Sequence, residues 1–383
     1  MANTEPCIAE LVQVGIRDEV TFGTDPAGAA LYVGIVGAHD FPDPKKTWNK
    51  IPSRGSGRKP YTIASGRSTL RGSLPLTMIN PKMLVYLMGQ CSDDGATKTL
   101  TTTLASPYTA GGASVVVGVT TYANGDYIEV GVGANPEIRQ VASGGASTTL
   151  TLDKPMRRDH ASGATCNKVT GAITHTFVHR DGLLPSFTWE EGMVNSTNLI
   201  KVATGCRVDG AELSMEEGGQ MLGKFDIAAQ AATTGTLSTL TVPSTEPYSN
   251  EHASFNLYGS AFADVSKWSI NYKNNIKEVY AMGSASPGNP RYLSAGMADI
   301  TAKVTREFLD LTCWSYVYGA GAKFNAIFTL TRTAVSDLMV VTLYNCRLAE
   351  AKQSVPESQN IPENQDILAE YMTVVVTDTT YYW

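Results

Sequence analysis

The sequence has little charge, few histidines and no long apolar run. Charged residues make up 17% of the 383, so salt-bridged helical bundles are a poor fit. No stretch reaches the roughly 18 apolar residues needed to span a bilayer, and the densest, Leu338 to Leu343, is strand-sized. Residues 1–20 carry Glu5, Glu10, Arg17, Asp18 and Glu19, which speaks against a secretory signal peptide. Cys7, Cys91, Cys166, Cys206, Cys313 and Cys346 form no CxxC pair, so buried free thiols made in a reducing cytosol are expected. A formal net charge of -6 argues against a surface that grips nucleic acid, since such surfaces are usually basic.

Catalytic signals are equally scarce. Gly218 to Lys224 matches a phosphate-binding GxxxxGK, but Phe225 stands where the Mg²⁺-binding Ser or Thr belongs. The residues that follow alternate like a strand, so a Gly-Gly hairpin turn is the better reading. His175 and His179 are spaced for a metal on a helix, yet Ile173 to His179 is β-branched and no acid or cysteine lies nearby in sequence. His39, His160 and His252 are isolated, and Glu190 and Glu191 fall on opposite faces of a strand. No catalytic residue, cofactor or metal is expected.

What is present is β-structure rich in Gly, Ser, Thr and Val, with apolar residues at 43%, too many for a disordered chain. An internal echo organises it. Residues 60–89 lie on 290–319 without a gap, matching Gly66 to Gly296, Leu70 to Ile300, Leu74 to Val304, Tyr86 to Tyr316 and Gly89 to Gly319. Both copies alternate like a half-buried strand and then pass into a short helical pattern. In the first, Asn80 reads as N-cap, Pro81 as the first helical residue and Gly89 as the residue past the end. A second echo relates Thr204-Gly205-Cys206-Arg207-Val208 to Tyr344-Asn345-Cys346-Arg347-Leu348.

These echoes predict a mainly β chain with duplicated sandwich domains, each flanked by a short helix. The first spans 1–95 and 173–235, and the second spans 248–383. An inserted β-rich module occupies 96–172, with strand-like runs at 114–119, 127–132 and 148–152. The Thr/Ser/Pro-rich stretch 236–247 reads as a linker. Residues 40–60 hold Pro42, Pro44, Pro52 and Pro60 with six basic residues, and no regular element fits them.

Several stretches in order carry a family resemblance: Ala64-Ser65-Gly66-Arg67 through Leu76, Pro185 to Gly192, Gly205 to Gly210, Trp268 to Asn275, Gly283, Gly296 and Asp299 to Val304. On these the chain resembles the tail tube proteins of long-tailed bacteriophages. The resemblance implies a β-sandwich whose sheets join around a ring, rings stacked into a hollow tube for DNA, and neither catalysis nor cofactor. It implies a virion tail component made in the host cytoplasm. Its partners would be other copies, other tail proteins and double-stranded DNA in transit. Two sandwich domains per chain would make the ring a trimer with pseudo-sixfold symmetry, with a six-copy ring as the alternative. A lumen that lets a polyanion slide favours acidic walls, and Glu190, Asp209, Glu212, Asp226 and Glu350 are the candidates. Lys45, Lys46, Lys50, Arg54, Arg58 and Lys59 mark the 40–60 loop as a candidate arm to the next ring. Two other classes fit the composition, a capsid-decorating or baseplate β-protein and a carbohydrate-binding β-protein.

Overall fold

Alternation from Ser68 to Thr77 puts Leu70, Leu74 and Leu76 on one buried face, and the same period recurs along the chain to build two β-layers. The computed structural model describes residues 12–26, 28, 30–52, 62–131, 136–193, 200–240, 245–262, 264–282, 288–318, 322–332, 337–355 and 361–378. Its elements begin with β1 (Val12–Asp18), β2 (Ile35–Val36), β3 (Pro44–Ile51), β4 (Thr62–Thr77), α1 (Lys82–Met88) and β5 (Gly89–Thr103). There follow β6 (Ser114–Val116), β7 (Tyr127–Val130), β8 (Glu137–Ser143), β9 (Thr149–Leu152) and β10 (Thr165–His179). Next are β11 (Phe187–Met193), β12 (Ile200–Glu216), β13 (Leu222–Ala228), β14 (Ala231–Thr234), β15 (Ala253–Leu257), β16 (Ser260–Phe262) and β17 (Val265–Lys273). The chain ends with β18 (Lys277–Val279), β19 (Tyr292–Ser294), β20 (Asp299–Glu307), α2 (Thr312–Tyr318), β21 (Phe324–Thr331), β22 (Leu338–Gln353), β23 (Pro362–Ala369) and β24 (Tyr371–Asp378).

One layer is an antiparallel run in the order β2-β4-β13-β12-β17-β20-β23-β22. The other is made of β1-β11-β12-β14 and of β15-β21-β22-β24-β10-β5. Between them lies a single core in which Leu74, Phe225 and Trp268 meet Trp189, Phe328 and Val374. The Trp268 and Phe328 rings sit 5.1 Å apart. Helix α1 is buried along its whole length and ends at Gly89 in the left-handed conformation. It starts one residue later than the sequence pattern suggests: the Asn80 side-chain oxygen Oδ1 accepts the Lys82 N–H at 3.2 Å.

The long strands β12 and β22 belong to both layers. Each crosses at a bulge where Thr204-Gly205 and Tyr344-Asn345 put an extra residue into the strand. Phe187 pairs with Cys206 but Trp189 with Ala203; Phe324 pairs with Cys346 but Ala326 with Leu343. Gly205 and Asn345 hold φ of 63° and 52°, the left-handed region that glycine and asparagine tolerate best. Cys206 and Cys346, beside them, are fully buried. The likeness extends further. Strand β4 ends at Thr77 and α1 spans 82–88, while β20 ends at Glu307 and α2 spans 312–318, each 230 residues on. Strands β13 and β14 begin at 222 and 231, β23 and β24 at 362 and 371, each 140 residues on. Their pairing agrees too, since Leu222 faces Thr77 and Pro362 faces Glu307.

Within the inserted stretch, β6, β7 and β9 fall inside the expected runs and β8 is a further strand between them, around a separate cluster of Leu104, Val115, Val117, Ile128, Val130 and Leu150. Strands β5 and β10 run unbroken into it from the main layer. The GxxxxGK stretch is a hairpin turn between β12 and β13. Two expectations need correction. Residues 40–60 do contain a regular element, because the outer half of β4 supplies a ladder for Pro44–Ile51; Pro44 and Pro52 sit at its ends, where no ladder donor is lost. The linker is not free at its start, because Ser238 N–H donates to Glu190 at 3.1 Å.

The crossing predicts a local stability effect. In Gly205→Ala the new Cβ would lie 2.7 Å from the Gln230 Cβ at a left-handed residue, so a loss of about 1–3 kcal/mol is expected. Asn345→Gly should change stability by less than about 0.5 kcal/mol. Urea unfolding of the two variants measures the difference.

Candidate functional site

The solvent face of the eight-strand layer gathers most of the acidic residues singled out from sequence. Glu212, Asp226 and Glu350 all project there, because each occupies the exposed phase of its strand. They are joined by Glu216 and Asp366, and equally by Lys224, Lys267, Lys303 and Lys352. Lys267 bonds Glu216, and Lys303 lies 3.6 Å from Asp366. The face is therefore a mixed-charge surface in which cations stand beside acids, and not an acidic wall. Period-2 alternation finds the acids; Lys267 beside Glu216 and Lys303 beside Asp366 come from strands far apart in sequence.

Asp209 sits at the margin of this face. Its carboxylate takes the Ile276 N–H at 2.5 Å and the Arg71 guanidinium, so it fastens the 274–296 segment. Glu190 does not belong to the face at all. It is fully buried, 3.2 Å from Arg17 and hydrogen-bonded to Ser238, on the face of β11 opposite Trp189, where the stretch around Ser238 and Leu240 covers it. Lys45, Lys46 and Lys50 lie exposed on β3, which projects with the outer half of β4 as a hairpin arm. Arg54, Arg58 and Lys59 lie outside the described residues.

A buried charge cluster joins the inserted module to the main layers around a cavity of about 200 Å³. Lys82, the one charged residue of α1, is fully buried and bonds Asp18 at 2.7 Å; Arg157, from the insert, bonds Asp18 at 3.1 Å. Tyr86 donates a third hydrogen bond. Burial alone would raise the Asp18 carboxyl, but Arg157 and Lys82 outweigh it and hold it far below the usual carboxylate range. Nearby, Glu137 accepts from Arg139, His160 and two backbone N–H groups. Sequence reading missed this cluster, although a lone lysine on a helix whose other residues are apolar or aromatic is a signal that a carboxylate must face it.

The absence of an acid or cysteine near His175 holds only along the chain. Across the β5–β10 ladder, Cys91, Asp93 and His175 bring their ligand atoms within 4.8 Å of one another. His175 Nδ1 and Cys91 Sγ both reach the same Asp93 oxygen, at 2.8 and 3.4 Å. Burial, then the Asp93 charge, pushes the Cys91 thiol well up, so it stays protonated and serves as a donor. This makes the trio a hydrogen-bonded clamp; as a cation site it would have to lose that proton. The five described cysteines are buried and free. Among the described residues no helix is long and apolar enough to cross a membrane.

If Asp18 joins module and body, Asp18→Asn leaves the Lys82 ammonium buried without its counter-charge and should cost about 3–5 kcal/mol. Because the folded carboxyl is shifted down, its contribution is present above the unfolded value near pH 4 and is lost as pH falls below it. Urea titrations of both proteins from pH 7 to pH 2 should show the gap between them closing below pH 4.

A search of the curated proteins finds no match. The sequence profile of the phage tail tube protein family matches residues 10–372, spanning both layers and the insert. A mainly β, two-layered chain with that match belongs to the phage tail tube protein family.

Proposed function

We propose that three copies of this structural tail subunit close into a ring, and that stacked rings form the conduit through which DNA leaves the capsid. In this reading the chain holds two copies of one sandwich, the first built from β1, β2, β4, α1 and β11–β14, the second from β15, β17, β20–β24 and α2. The observation that carries it is the β12–β17 ladder, where Gly210 faces Lys273 and Glu216 faces Lys267. That ladder seals the four-strand unit β2-β4-β13-β12 to the unit β17-β20-β23-β22. Among the described residues, the counterparts of its two strands are edges: Arg347–Gln353 pairs only with β23, and Ile35–Val36 only with β4. Unpaired N–H and C=O groups on these edges are what an identical neighbour can satisfy.

Joining β22 of one copy to the 35–43 segment of the next repeats the internal ladder head to tail. Three such joints make a barrel of about 24 strands, roughly 37–48 Å across depending on strand tilt, which leaves room for a duplex. The mixed-charge face then lines the bore. Lysines beside acids there offer DNA no net cationic track, so counterion release cannot anchor it. Such a subunit needs no catalytic group, and synthesis in the host cytoplasm agrees with the free thiols.

Electron microscopy of assembled tubes tests the reading through symmetry. Rings of three chains with pseudo-sixfold density are expected, with the inserted module appearing three times per ring. Six full-length chains per ring would mean that the two halves are not equivalent ring units.

A further inference from the structure

Residues 274–282 and 288–296, with β18 and β19, form an arm that the second half of the chain lays over the first. Asn274 Nδ2 donates to the Leu87 and Val208 carbonyls at 2.8 and 2.9 Å, and Arg71 Nε donates to Glu278 at 2.9 Å. Tyr280 donates to the Ser68 carbonyl at 2.8 Å, and Ser68 N–H to the Gly288 carbonyl at 2.7 Å. Its β18–β19 pair places Leu293 and Ile276 in a small apolar cluster with Ala228 and Leu184. Arg207 is buried beneath it and donates to the Leu293 carbonyl.

The chain has a second arm of the same kind whose outer apolar residues stay exposed. Strand β3 and the outer half of β4 form a hairpin at the position of β18 and β19, and Ile63 falls 230 residues before Leu293. Leu293 is fully buried, whereas Ile63 is 52% exposed, with Trp48 and Ile51 exposed beside it. The surface that would receive this arm is bare too. Counting 140 residues on, Ala228 corresponds to Leu368 and Arg207 to Arg347. Ala228 is fully buried and Arg207 nearly so, yet Leu368 is 51% exposed and Arg347 is exposed. Both halves of one apolar contact are thus present in every chain, at opposite ends of the eight-strand layer, where they cannot meet within a single copy.

From this we infer that the arm made by β3 and the outer half of β4 of one copy docks on the second half of the neighbouring copy in the same ring, with Ile63 seated on Leu368 and its carbonyl accepting from Arg347. The inference rests on the ring reading and reassigns the arm, which the basic residues alone had suggested for the next ring. The contact is more apolar than its internal template. The Arg71 and Asp209 positions become Thr301 and Ala349, so the ion pair that clamps the internal arm is not repeated. Charged Lys45, Lys46 and Lys50 keep the free arm soluble until it docks.

Ile63→Cys and Leu368→Cys combined, with Cys7→Ser so that the remaining native thiols are the buried ones, test the placement. Oxidation of assembled protein should give disulfide-linked species that stop at three chains, and none in the monomer fraction. Leu293→Cys with Ala228→Cys is the intrachain control and should close in monomers. Rings that assemble without the cross-link overturn the arm placement and leave the ring reading standing; a ladder extending beyond three chains puts the arm on the next ring and does the same. Protein that forms no rings overturns both. Because Ile63 is half exposed, Ile63→Asp should leave the monomer's melting unchanged and raise the concentration needed for assembly at least tenfold. Unchanged assembly of that variant is equally fatal to the inference.

Discussion

The architecture depends on two strands that are too long for one layer. Strand β12 begins in the outer layer between β11 and β14 and finishes in the eight-strand layer between β13 and β17; β22 makes the same passage between β21 and β24 and then along β23. A bulge with one left-handed residue lets the backbone change layers without breaking its ladders, and a buried cysteine fills the space inside the bend. Close packing between the layers follows. Side chains such as Trp189 and Trp268 can be fully buried only where both layers are held at a fixed separation.

That constraint also decides which surfaces are left over. Once each long strand has crossed, its second half lies along β13 or β23 and offers its other edge to a further strand. For β12 the neighbour is β17 of the same chain, and for β22 no described strand fills the role. In the proposed ring, a linked pair of sandwich units satisfies one joint internally and carries the two halves of the next joint at its ends. Covalent connection raises the effective concentration of the internal pair, which favours forming that joint before any between chains.

The inserted module is held differently, by strand continuity through β5 and β10 and by buried charge. A fully buried lysine stabilises nothing unless a carboxylate meets it, and Asp18 meets both Lys82 and Arg157. Its role is orientation: the pair is satisfied in one arrangement of helix, N-terminal strand and insert. The Cys91, Asp93 and His175 cluster lies on the same stalk and adds a second polar tie across β5 and β10.

Local pattern was enough for the β class, the short helices α1 and α2, strands β6, β7 and β9 of the insert and the Gly-Gly hairpin, because alternation, caps and turn residues act over fewer than ten residues. The paired echoes were visible for the same reason: a bulge needs Gly205 or Asn345 wherever it occurs, and a buried strand face needs Leu74 or Val304. Tertiary structure alone decided what lies opposite what. The β3 ladder exists because β4 offers an edge, Glu190 is buried where Arg17 and Ser238 meet it, and Glu216 and Asp366 have lysines beside them from strands 50 or more residues away. Burial and charge pairing are properties of contacts between distant segments, so a sequence states the residues that can take part while only the fold selects the partners.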